Sequence, residues 1–306
     1  MRKPSTLTYE VTDRIARLEL CRPERGNGIT LEMVDELAHF VEQANLDPRV
    51  HVIALSGAGK GFCGGWDLVA SAEQQLGGAG ADPADRPAGS PLDPAVQRRN
   101  HDPDGGWDPT LDYAMISRAA RGFMSLFHGD KPVVCKVHGF CVAGGTDLAL
   151  CSDLLVIEDR AKIGYPPARV WGVPTTALWV YRIGPERAKR LLLTGDCLSG
   201  TEAVAWGLAS EAAPRAALAE RFEILLERIA RVPRSQLVMS KLLVNQALLS
   251  QGLFQTQILG ALLDGAARHT PEGYAFQRRA AEVGFRQAVR ERDEPFGDAG
   301  PSTFKG

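Results

Sequence analysis

The chain has 306 residues, of which 44% are hydrophobic and 24% charged, and its formal net charge is −2. This is the composition of a globular protein long enough to bury a large core, in one domain or two. The charge balance argues against a nucleic-acid or anionic-membrane binder, although local basic groups could still hold a phosphorylated ligand.

The opening MRKPSTLTYEV has two cations but no apolar h-region, so it does not read as a signal peptide. No stretch approaches the roughly 18 apolar residues of a membrane span. Six cysteines (21, 63, 135, 141, 151 and 197) are scattered without a C-x-x-C. They read as core thiols of a reduced, cytoplasmic protein. The six histidines lack metal-ligand spacing, and no metal site is expected.

Leu7, Tyr9 and Val11 alternate with polar residues, Asp13-Arg14 makes a turn, and Ala16, Leu18 and Leu20 resume the alternation: a hairpin. Met33, Val34, Leu37, Phe40, Val41 and Ala44 share one face of a helix over 31–46, with Thr30 as its N-cap. Val50–Ser56 is a short buried strand that runs into the glycine-rich stretch Gly57–Gly65.

The segment 77–109 differs in kind. It holds six glycines, six prolines and six aspartates with almost no apolar periodicity. Such a segment cannot offset its own ordering entropy, so it is expected to be an insertion or lid-like loop, partly disordered, inside the domain.

Helical patterning returns over 111–128, a strand follows at Val133–His138, and Gly144-Gly145 opens a helix through Leu148–Cys151. Leu154–Glu158 is a third strand. Beyond Thr201 the chain is nearly all helical, with apolar stripes around 216–230, 235–249, 253–267 and 271–289. The expected architecture is α/β: a core over 1–200 carrying the insertion, then a helical region over 201–306.

Two glycine turns carry the chemistry. The first, Gly57 to Leu68, is neither a dinucleotide fingerprint nor a P-loop, since Phe62 stands where a third glycine belongs and no G-K-[ST] occurs. It offers a strand, the pair Gly64-Gly65, and then a helix whose first N–H groups are unsatisfied. The second turn, Val142 to Asp147, offers the same arrangement. Two such N–H groups aimed at one oxygen form an oxyanion hole, which lowers a barrier by about 3–4 kcal/mol per donor. Tight strand–helix packing is the alternative reading of either turn alone.

These residues resemble the crotonase (enoyl-CoA hydratase/isomerase) superfamily. Arg22-Pro23-Glu24-Arg25-Gly26-Asn27-Gly28 is similar to its R-P-x-x-x-N-A, Phe62 to Leu68 to its F-x-A-G-x-D-L, and Val137 to Asp147 to its V-x-G-x-x-x-G-G-G-x-E/D. The resemblance runs from Arg22 to the C-terminal helices, apart from the insertion. It implies a ββα spiral core, an acyl-CoA substrate with no separate cofactor, and trimers or dimers of trimers sealed by the C-terminal helices. Carried over residue by residue, the oxyanion donors are the backbone N–H groups of Trp66 and Gly144. The CoA-binding positions are Arg25, Gly26, Gly64, Trp66, Asp67 and Leu68. Trp66 departs from the small residue usual there; its indole is expected to narrow the pocket or stack on the ligand. Asp67 has a second reading as a helix cap.

The family's hydratases divide acid–base work between two glutamates. The first position is Asp147, one methylene shorter, which sets its oxygens roughly 1.5 Å further back; it could instead serve only the start of its helix. The second position falls on Pro167 or Ala168, depending on which glycine anchors the count, and neither ionises. Three readings follow: a hydratase or isomerase working through Asp147, helped by water or by His101, Asp102, Asp104 or Asp112; another enolate reaction, such as double-bond isomerisation, decarboxylation or thioester hydrolysis; or a weakly active CoA-binding protein. Arg278 and Arg279 are candidates for the nucleotide phosphates, or for a solvated helix face.

Overall fold

The computed structural model describes residues 3–68 and 87–297; part of the expected insertion (77–86) and the helix expected after Gly64-Gly65, from residue 69 onward, lie outside them. Strands β1 (Leu7–Thr12) and β2 (Ile15–Leu20) pair antiparallel across Asp13 and Arg14. Both turn residues have positive φ, 46° and 69°, as a two-residue hairpin matched to strand twist requires. Helix α1 (Leu31–Leu46) follows, with the Thr30 hydroxyl accepting from the Met33 N–H, and all six residues of the expected apolar face are buried. Strand β3 (Val52–Gly57) starts two residues later than the sequence pattern indicates.

Part of the insertion is structured. Residues 94–100 form helix α2 (Pro94–Asn100), capped by the Asp93 carboxylate on the Ala95 N–H, and it buries Val96 and Asn100. The insertion, expected to be a partly disordered loop, thus contains a short helix that the sequence reading did not place. The cap and Pro94 at the first helical position nucleate a turn that apolar periodicity cannot reveal. Helix α3 (Pro109–His128) comes next, then β4 (Val133–Val137), β5 (Phe140–Val142), α4 (Gly144–Ala149), β6 (Leu154–Glu158) and β7 (Lys162–Gly164). Helix α5 (Trp179–Thr194) had no counterpart in the sequence reading: Gly184, at φ 78°, and Pro185 break its backbone and its apolar pattern.

The remaining elements are β8 (Cys197–Ser199), α6 (Gly200–Ala205), β9 (Glu211–Ala213), α7 (Arg215–Ala230), α8 (Arg234–Ser250), α9 (Leu253–Arg268), α10 (Pro271–Val283) and α11 (Phe285–Asp293). The stripe read over 271–289 is two helices, parted at Gly284 with φ 83°.

A six-stranded sheet in the order β1-β2-β3-β4-β6-β9 is parallel except at β1, and β5-β7-β8 form a second small sheet. Alternation along the strands supplies two cores. Ile15, Val52, Ala54, Val134 and Val156 face Leu218, Phe222 and Leu226 of α7. Leu18, Ile53, Leu55, Cys135 and Leu155 join the larger core with α1 and α3. The parallel strands β3 and β4 end beside the two glycine turns, which sets the site where the sheet hands over to its connections.

Candidate active site

The turns are held against each other by backbone and by one amide. Buried Asn27, at φ 53°, donates from Nδ2 to the carbonyls of Ala58, Gly61 and Phe62. Gly64 N–H donates to the Gly26 carbonyl, Ile29 N–H to Gly65, and Asp67 N–H to Ile29. Across to the second turn, the Val142 N–H donates to the Cys63 carbonyl at 3.1 Å. Gly65, at φ 97°, has no room for a side chain: a Cβ would lie 2.7 Å from that of Ala143 and 3.3 Å from the Gly144 nitrogen. Ala143 itself is held at φ 55°, ψ −132°, a costly conformation for a non-glycine residue that the surrounding packing imposes.

This places Trp66 and Gly144 side by side. Neither the Trp66 N–H nor the Gly144 N–H donates to a protein acceptor among the described residues. The half-buried Trp66 indole packs on Phe123, with ring centroids 6.0 Å apart, and lies across Gly144. A cavity opens in front of them, lined among others by Gly64, Leu68, Tyr165, Pro167, Trp171, Asp264 and Arg268. Trp66 lines the pocket it was expected to narrow, together with Tyr165 and Trp171.

Asp147 is buried one turn beyond Gly144 and is absent from that lining. Its Oδ1 accepts from the Thr176 N–H at 3.0 Å and from the Thr176 hydroxyl at 2.9 Å, while Oδ2 has no partner. Loss of hydration pushes its carboxyl up to about 7, against the pull of the Thr176 donors, and the negative charge of Asp264 adds to the rise.

The expected CoA-binding residues fall into two groups. Gly64, Trp66 and Leu68 line the cavity. Asp67 is buried in an ion pair with Arg22 at 2.8 Å, and Arg22 also donates to the Gly28 carbonyl, so this carboxylate ties the two loops together. Arg25 is exposed, and Gly26 is half-buried on the same loop.

Of the auxiliary candidates, none lines the cavity. Asp102 accepts from the Asp104 N–H in an exposed turn. Asp112 is buried and accepts from Asn100, the Trp107 indole and His269, and His101 bonds Gln277. Arg279 is engaged by Glu291 and Glu282 on the surface of α10, and Arg278 is exposed. Pro167 does line the cavity, in a single 3-10 turn over Pro166–Arg169, and brings no ionisable group to it.

Sequence reading missed the cavity's own charges. Asp264, Arg268, Arg292 and Asp293 come from the C-terminal helices, which were read only as apolar stripes. Asp293 is fully buried between Arg169 and Arg292. Asp264 stays half-buried, its Oδ1 accepting from the Val173 N–H at 2.9 Å; desolvation raises its pKa above the usual carboxylate range. The signal available was one aspartate in the otherwise apolar run LGALLDGAA.

Family models described as enoyl-CoA hydratase/isomerase match residues 110–266 and 15–90. A crystal structure of an enoyl-CoA hydratase from Mycobacterium smegmatis is 53% identical, with 98% of this chain and 97% of that one covered and a TM-score of 0.90. The 1,2-epoxyphenylacetyl-CoA isomerase of Escherichia coli is 30% identical over 76% of this chain and 79% of its own length. The (E)-benzylidenesuccinyl-CoA hydratase of Thauera aromatica is 28% identical over 90% and 97%. The three motifs, the paired turns and these likenesses agree: the chain belongs to the enoyl-CoA hydratase/isomerase family of the crotonase superfamily.

Proposed function

We propose that the protein is an acyl-CoA enzyme of hydratase/isomerase type that binds the thioester oxygen between the Trp66 and Gly144 N–H groups. The observation that carries this is the pair of unpartnered backbone donors on abutting turns at the mouth of one cavity. Donors fixed in place before the reaction stabilise the enolate without reorganising. Asp147 is the proposed general acid/base: it has one orphaned oxygen and titrates near neutrality, where proton transfer in both directions is fastest. Arg25, Gly26, Gly64, Trp66, Asp67 and Leu68 form the proposed CoA-binding edge, with CoA as part of the substrate and no separate cofactor.

Hydration is the favoured reaction, and the named activities of similar proteins support it. Double-bond isomerisation is the second reading; it suits a chain whose motif supplies one carboxylate and puts Pro167 at or beside the other position. Self-association as trimers or dimers of trimers is also proposed, supported by exposed apolar side chains on α8 and α9. No helix among the described residues is long and apolar enough to cross a membrane; a cytoplasmic location is our proposal. Incubation with crotonyl-CoA tests the function. Loss of enoyl absorbance with 3-hydroxybutyryl-CoA as product supports hydration, a shifted double bond supports isomerisation, and neither reaction across chain lengths refutes both.

A further inference from the structure

The carboxylate that the motif lacks has a spatial replacement. Helix α9 carries a single acidic residue, Asp264, in a run otherwise made of leucine, alanine and glycine. Two glycines press this helix against its neighbours. A Cβ at Gly260 would stand 2.9 Å from the Pro174 carbonyl oxygen, and one at Gly265 would stand 2.9 Å from the Asp112 Cβ. That close approach brings Asp264 into the wall of the cavity shared by Gly144, Trp66 and Pro167. The Val173 N–H fixes its Oδ1, and the residue as a whole is half-buried.

The other carboxylates near the cavity are differently placed. Asp293 lines it but is fully buried and clamped by two arginines. Asp147 is fully buried, and it is not among the residues that line the cavity. Buried Tyr165, which lines the cavity, feels the charge of both Asp147 and Asp264.

We propose that Asp264 is the second carboxylate of the acid–base pair, supplied from α9, and that it holds the attacking water at the β-carbon of an enoyl thioester. This rests on the acyl-CoA reading above. Asp264 takes one proton from water as the oxygen bonds to the β-carbon. The carbon–carbon π pair moves towards the carbonyl, and the enolate oxygen rests on the Trp66 and Gly144 N–H groups. The carboxylic acid of Asp147 then gives its proton to the α-carbon. Water has been added across the double bond; Asp264 ends protonated and Asp147 ionised, and exchange with solvent restores both.

The assignment predicts a division of labour that Asp264→Asn and Asp147→Asn separate. In Asp264→Asn the side-chain amide retains an oxygen for the Val173 N–H, so the fold is preserved, which a thermal melt verifies. With crotonyl-CoA, Asp264→Asn lowers kcat about 100-fold or more, changes KM by less than about threefold, and removes the acid limb of the kcat–pH profile. Asp264→Glu restores part of the rate. With saturated butyryl-CoA in D2O no water is added, so α-proton exchange persists in Asp264→Asn and disappears in Asp147→Asn. Unchanged hydration and an unchanged pH profile in Asp264→Asn overturn the assignment while leaving the acyl-CoA reading intact. A rise in KM alone makes Asp264 a structural group and overturns it equally. Wild-type protein that neither hydrates crotonyl-CoA nor exchanges butyryl-CoA removes the acyl-CoA reading, and the role of Asp264 with it.

Discussion

The Trp66 indole lies directly against Gly144: a Cβ on that glycine would come within 2.9 Å of Cδ1 and 3.0 Å of Nε1. The two proposed oxyanion donors are thus sterically coupled through the side chain of one and the bare Cα of the other. Gly144→Ala keeps its N–H but pushes on the indole, and is expected to lower kcat/KM by about 10-fold or more, since displacements under an ångström are costly in a preorganised site. Trp66→Ala keeps its N–H as well and removes the obstacle. The double variant is therefore expected to recover most of the loss, giving a positive coupling in a double-mutant cycle. Additive losses would show that the contact is not what limits Gly144.

Asp147→Asn tests a second link. If this carboxyl transfers the proton, turnover falls by roughly two orders of magnitude or more; an unchanged rate excludes the role. The same variant has a stability signature. In the folded protein Asp147 titrates at about 7, above the ordinary 3.8, because burial strips its hydration. Between those values the folded chain holds a proton that the unfolded chain has released, so this group's contribution falls as pH rises from about 4 to 7. The asparagine has no such dependence. Urea unfolding is expected to show the variant gaining on wild type across that window, by at most about 4 kcal/mol. A pH-independent difference would mean the carboxyl is ionised throughout.

How much of this could be read from sequence depended on the range of the forces involved. The hairpin at Asp13-Arg14, α1 with its Thr30 cap, and the strand Leu154–Glu158 rest on local backbone preferences and periodicity, and the structure has them at or near the expected residues. The abutment of Gly65 on Gly144 spans nearly eighty residues and was legible only through motif resemblance. Asp264 carries no local signature beyond being polar in an apolar helix, and only the packing of α9 against the Val173–Thr175 segment reveals what it faces. Helix α5 was hidden by its own Gly184-Pro185 break.

Asp112, weighed from sequence as a catalytic helper, serves as a polar hub. It accepts from the Asn100 amide at 3.0 Å, the Trp107 indole at 2.8 Å and His269 at 2.8 Å, joining α2 and α3 to the end of α9. Asp112→Ala strands a buried amide and an imidazole, and is expected to cost about 2–3 kcal/mol, seen as a lower urea midpoint with a similar slope. Asp102→Ala, in the exposed turn, is expected to shift stability by less than about 0.5 kcal/mol. Equal effects from both would mean that the hub does not hold the insertion.

The C-terminal helices present apolar side chains that the other described residues do not cover. On α8, Leu242, Leu243 and Val244 are 54%, 76% and 62% exposed; on α9, Phe254, Leu259 and Leu263 are 62%, 53% and 46% exposed. Scattered surface leucines need no explanation, but so many on two consecutive helices favour a subunit contact. Light scattering after gel filtration is expected to give the mass of a trimer or of two trimers. Leu243→Glu with Phe254→Glu puts two carboxylates into such a contact, where each loses hydration without a partner. The expected result is a protein of monomer mass with a lower melting temperature, because a chain that leaves the assembly loses the stabilisation that association supplies. Asp264 follows the exposed Leu263 directly on α9 and lines the cavity, so the dissociated variant should also lose activity out of proportion to its folded fraction. A wild-type monomer at micromolar concentration would remove the subunit contact and require another explanation for this surface.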